Sequence, residues 1–137
     1  MVAFIAPLRR GEQPRLYARH FYGSIHGAQV VHALRYFRRA VGQPLLIVWD
    51  QLQAHRSKEV LALVDSHPRD FRLEWLPPYA PDLNPEESCN SVVKAEMRNA
   101  LPASVEELRD MARRGFLRLQ HRPEMLRGFL RRARLLH

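Results

Sequence analysis

Apolar positions along the 137-residue chain switch between alternation and helical spacing, and the switches mark its elements. Val2 to Ala6 reads as a short buried strand, and the polar turn Arg9 to Pro14 leads to a second strand over Leu16 to Tyr22, together a hairpin. Gly23 to Gly27 breaks the pattern. Val30, Val31, Leu34, Phe37 and Val41 then recur at helical spacing until Gly42-Gln43-Pro44. Leu45 to Trp49 carries no polar residue on either face, which predicts a strand buried between two layers of a parallel or mixed sheet. Ser57 caps a helix with Val60, Leu61 and Val64 inward and Glu59 in its first turn. Phe71, Leu73 and Trp75 alternate with Arg72 and Glu74, a strand with one face in water.

Prolines at 77, 78, 81 and 85 then hold the connection extended. Asn84-Pro85-Glu86-Glu87 is a helix start, with an Asn cap, Pro at the first position and acids in the first turn, and this helix is expected to reach about Asn99. Ser104-Val105-Glu106-Glu107 is a capping box opening a helix with Leu108, Met111, Ala112, Phe116 and Leu119 on one face. Pro123 starts a last helix with Leu126, Phe129, Leu130 and Ala133 on its apolar side. The order strand, strand, helix, strand, helix, strand, three helices predicts an α/β fold, a mixed sheet flanked by helices. The length allows one domain.

Charge changes this picture. A formal net charge of +8 and a pI near 10.7 favour a polyanionic partner, nucleic acid first, with solubility charge as the competing reading. From Arg98 onward ten arginines face Glu106, Glu107, Asp110 and Glu124, a local balance of +6, so the surplus sits on the last helices. Arg113, Arg114, Arg118, Arg127, Arg131 and Arg134 are the candidate phosphate contacts. A single cysteine, Cys89, excludes an internal disulfide and a cysteine-rich metal site. The start is too soon interrupted by Pro7 for a signal peptide or membrane span, so a cytoplasmic location without membrane is expected.

Two acids carry the candidate chemistry. Asp50 ends the apolar strand, where open α/β sheets place their ligand chemistry, and Glu87 opens the helix after the proline loop. The 36 residues between them suffice for a helix, an edge strand and a rigid loop that returns Glu87 toward the Asp50 strand. Two facing carboxylates repel unless a hard divalent cation lies between them, and a pair of such ions about 3.5–4 Å apart serves phosphodiester chemistry. The plainer readings stand beside these: Glu87 as the third-position acid of a capped helix, Asp50 as a turn residue, His55 as a loop residue, Asp82 and Asn84 as turn holders, and Trp75 and Tyr79 as anchors.

The segments Val48-Trp49-Asp50-Gln51-Leu52-Gln53-Ala54-His55-Arg56-Ser57 and Leu76-Pro77-Pro78-Tyr79-Ala80-Pro81-Asp82-Leu83-Asn84-Pro85-Glu86-Glu87 closely resemble bacterial insertion-sequence transposases of the mariner superfamily. The likeness runs through Lys94 and into the arginine-rich tail. It implies a ribonuclease H-like fold and an Asp-Asp-Glu endonuclease centre holding two Mg²⁺ or Mn²⁺ ions, which cuts transposon ends and joins them to target DNA. On this sequence Asp50 matches the second acid and Glu87 the third, with His55, Asn84 and Lys94 as secondary candidates. Residues 1–99 then form the ribonuclease H-like part and 100–137 a basic helical tail.

Three departures accompany the likeness. Glu86 stands where the family has an aliphatic residue, and Asn90 where it has tryptophan. Only Glu12 is acidic before Asp50, and it lies in a polar turn, so the first central strand with its aspartate is expected to be lacking. An upstream helix-turn-helix region is expected to be lacking too. Two functions follow: DNA transposition with an upstream polypeptide supplying the first acid, in a nucleoid-associated and homodimeric setting, or an inactive remnant that binds DNA through its arginine-rich helices.

Overall fold

The computed structural model describes residues 2–5, 12–50, 53–78 and 83–133. Expectations for Ala6 to Gly11, Tyr79, Asp82 and Arg134 lie outside the described residues. In order, the elements are β1 (Val2–Ile5), β2 (Arg15–Ala18), α1 (Gly27–Val41), β3 (Leu45–Trp49), a 3₁₀ turn (Gln53–Arg56), α2 (Lys58–Ser66), β4 (Phe71–Trp75), α3 (Pro85–Ala100), α4 (Val105–Gln120) and α5 (Pro123–Arg132). The chain is mixed α/β, with five α-helices and a small parallel sheet among the described residues. It divides into two compact units, residues 19–84 and residues 2–18 with 85–137.

In the unit of residues 19–84, β3 pairs with β4 in parallel, from Leu45↔Phe71 to Trp49↔Trp75. Backbone bonds from Leu45 N–H to Asp70 O and from Leu76 N–H to Trp49 O, each 2.8 Å, extend the ladder at both ends. Val30 and Leu34 of α1, Val60 and Leu63 of α2, and Trp49 and Phe71 of the strands form one buried core. Gly27 opens α1 where it meets the start of α2: a Cβ there would stand 2.3 Å from Ser57 Oγ, so only glycine fits. The α1 terminus is set by Gly42 at φ 74°, whose N–H returns to Arg38 O, and Arg38 pairs with Asp70 at 3.0 Å to tie the helix to the head of β4.

Two expectations are corrected here. Only the odd positions of β3 turn toward the helices, and Leu46 and Val48 are 61% and 37% exposed, so the strand is not sandwiched. An all-apolar run carries no information about which face is covered. In α2, capped by Ser57 Oγ accepting from Val60 N–H, Val60 and Val64 face the core as expected, but the third inward residue is Leu63 and Leu61 is 38% exposed.

The second unit joins the hairpin to the last three helices. Here β1 and β2 pair antiparallel, Val2↔Ala18 to Ile5↔Arg15, and β2 stops at Ala18 rather than reaching Tyr22. Among the described residues the hairpin and the β3–β4 pair are separate two-stranded sheets rather than one mixed sheet. Alternation identifies a strand but not its partner, and each pair bonds only within itself. Leu16, Cys89, Val93, Phe116, Leu119 and Leu126 form the core of this unit, and Gln120 Nε2 donates to Leu16 O at 2.8 Å. Gly115 of α4 lets α3 approach, since a Cβ there would lie 3.1 Å from both Val93 methyls. The capping box of α4 forms with a shift: Ser104 Oγ accepts from Glu107 N–H, while Glu107 Oε2 accepts from Ala103 N–H rather than from the cap itself.

Candidate functional site

Asp50 is the first residue beyond β3, and the 3₁₀ turn that follows brings His55 back to it. His55 Nδ1 lies 3.0 Å from Asp50 Oδ1 and 3.2 Å from Asp50 O. Both oxygens accept, so Nδ1 carries a proton and donates to them. The imidazole lies flat on Trp49, ring centroids 4.2 Å apart and 6° from parallel, and Trp75 sits 5.8 Å from Trp49 on the neighbouring strand. Trp49 is buried, and its indole N–H has no partner among the described residues. The His55 side chain is 14% exposed and that of Asp50 40%, so a sheltered imidazole steadies a carboxylate that reaches water.

Glu87 belongs to the other unit. Pro85, Cys89 and Val93, four residues apart, bury one stripe of α3 and leave Glu87 exposed on another. Glu86 and Asn90, the two departures noted in the sequence, are half-buried, and α3 runs unbroken past them. Acids at 86 and 87 face the positive end of the helix dipole. Ser91 Oγ donates to Glu87 O at 2.8 Å, and Lys94 is exposed two turns further along. Asn84 is half-buried and precedes the helix as the sequence predicts. Burial, with the nearby Glu86 charge, pushes the Cys89 thiol up to about 12, so it is an inert packing group.

Carboxylate oxygens suit a hard divalent cation, and an imidazole hydrogen-bonded to one of them orients it. Among the described residues no group of three His, Cys, Asp or Glu side chains is gathered to hold a metal. The donor set thus fits a cation in kind at Asp50 and at Glu87, each within its own unit.

The arginines of α4 and α5 lie on the surface. Arg113, Arg114, Arg118 and Arg131 are exposed and Arg127 is half-buried. Arg118 is paired with Glu96 of α3, and Arg114 Nε donates to Asp110 O at 3.3 Å. No helix among the described residues is long and apolar enough to cross a membrane.

Two contributions escaped the sequence reading. Trp49, read only as a strand residue, is the platform for His55; the signal was an aromatic directly before the acid with a histidine five residues on. Arg98, counted only as charge, shares the Glu87 face of α3 with Ser91 and Lys94, a spacing of four, three and four residues.

Comparison with known families matches residues 7–109 to a profile described as DDE superfamily endonuclease. Neither the curated proteins nor the solved structures gave a significant match.

Proposed function

The chain belongs to the DDE superfamily of endonucleases, and from that premise we propose that it serves DNA transposition, as part of the catalytic domain of a bacterial insertion-sequence transposase of the mariner superfamily. Its substrate is then the DNA of transposon ends and of the target. Asp50 and Glu87 are the second and third acids of a ribonuclease H-like centre, and Mg²⁺ or Mn²⁺ is the metal.

The observation that carries this reading is the setting of Asp50: a carboxylate at a strand end, locked by His55 on a Trp49 platform, inside the matched segment. A mere turn residue needs no stacked, half-buried imidazole to fix its side chain. Divalent ions, when bound, supply activation of a water or 3′-hydroxyl and stabilisation of the leaving oxygen. Asp50 contributes a fixed oxygen donor, His55 keeps that oxygen pointed and shields it from below, and Glu87 contributes the second donor from a rigid helix start. Asn84 holds the entry to that helix.

Glu12, in the irregular stretch before β2, is the only acid ahead of Asp50 in this sequence, and an upstream polypeptide is proposed as the source of the first acid. The exposed arginines of α4 and α5 support a second reading, an inactive remnant that binds DNA through its arginines.

Nicking decides between them. With the upstream polypeptide supplied, transposon-end DNA is cut in Mg²⁺ or Mn²⁺, and Asp50→Asn lowers the rate by at least about a hundredfold, the scale of losing a group essential to the chemical step. Tight DNA binding without any metal-dependent nicking would leave only the remnant reading.

A further inference from the structure

A cavity of about 600 Å³ opens between α3 and α4, within the unit of residues 2–18 and 85–137. Its polar lining is Ser91, Lys94 and Arg98, and its apolar lining Met97, Leu101, Pro102 and Leu108. We propose that it receives one unpaired nucleotide of the bound DNA, phosphate on Lys94 and Arg98 and base on the apolar side. The proposal rests on the DNA-acting reading above and extends it to a substrate feature, a strand with an unstacked base.

Four observations carry it. The cavity is an open hollow along which Ser91, Lys94, Arg98, Leu101 and Leu108 are exposed, and its apolar lining with two cations suits an ionic group on a flat apolar body. Neither Lys94 nor Arg98 makes an ion pair among the described residues, whereas Arg118 on the adjoining helix is taken up by Glu96.

Leu101, the first residue after α3, has φ 49°, a left-handed conformation that side chains with a Cβ avoid and that helix ends normally give to glycine or asparagine. It is nevertheless a leucine, and 83% exposed, so an unfavourable backbone holds an apolar side chain in water beside the cavity.

Finally, the polar lining continues the Glu87 face of α3. At about 1.5 Å per residue, Lys94 is roughly 10 Å along the helix from Glu87, or about three phosphates of a strand at roughly 3.4 Å each. A strand with its reacting phosphate at Glu87 therefore reaches the cavity within a few nucleotides. A paired, stacked base cannot enter an apolar cavity on a helix flank, and an unpaired one can.

The test is metal-free binding of the full chain to three DNA hairpins: one with a single unpaired 3′ thymidine, one with an abasic residue there, one blunt. The base is expected to raise affinity about tenfold over the abasic hairpin, the scale of one sequestered base. Leu101→Asp and Leu108→Asp, both at exposed positions, are expected to erase that preference, and Lys94→Gln to lower the salt slope for the overhang hairpin by about one.

Equal affinity for base and abasic hairpins, or a preference that survives both substitutions, would overturn the assignment. So would tighter binding of an acidic leucine-bearing peptide lost in Leu108→Asp, which would make the cavity a protein-docking site. Because no metal is present, these outcomes do not depend on Asp50 or Glu87: metal-dependent cutting without a base preference sinks the cavity alone.

Discussion

His55 gains its position from two directions, a ring below it and a carboxylate beside it, and its Nδ1 holds the side chain of Asp50 in place. Local chemistry of this kind was half-legible: the strand-ending acid stands out in an apolar run, but the stacking on Trp49 depends on a 3₁₀ turn that no spacing announces. Cys89 is a second case of environment overriding residue type. Its thiol is raised from 9.0 to about 12, leaving roughly a thousandth of the thiolate of an ordinary thiol at a given pH, so disulfide-reagent labelling of the native chain at pH 8 should follow unfolding rather than direct attack. A group whose folded value is raised holds its proton more tightly when folded. Its contribution to stability is complete below pH 9.0 and is lost as pH rises toward 12, and a denaturation series across that window should fall more steeply for the wild type than for Cys89→Ala.

At the level of elements, boundaries with a side-chain mechanism were readable. Asn84-Pro85 opens α3 and Ser104 opens α4 as their chemistry dictates, and Gly42 ends α1 in the left-handed conformation. Faces were less readable where both sides were apolar, as in β3, or where neighbouring apolar residues compete for one inward position, as in α2, which starts at its expected cap Ser57 and buries Leu63 rather than Leu61. For the basic helices α4 and α5, charge was legible but its availability was not. Arg118 is already paired with Glu96, while Arg113 and Arg131 are exposed and make no ion pair among the described residues. If these helices bind phosphates, Arg113→Gln and Arg131→Gln should each reduce the slope of log affinity against log salt by about 0.9, and Arg118→Gln by clearly less. Equal slopes for all three variants would show that the helices do not meet the backbone.

For the whole molecule, the net charge of +8 and the family match over residues 7–109 agree on a polyanionic substrate, but neither says where the acids meet. The sequence carried the order of elements; it did not carry the pairing into two two-stranded sheets among the described residues, because alternation marks a strand without naming its partner. The account turns on Asp50 and Glu87 sharing one cation. Substoichiometric Mn²⁺, added to the isotopically labelled chain together with its upstream polypeptide, reports this through paramagnetic broadening. The amide signals around Asp50 and those around Glu87 should broaden together, and Asp50→Asn should relieve both sets at once. Broadening near Glu87 that persists unchanged in Asp50→Asn would mean that the two carboxylates never hold the same ion.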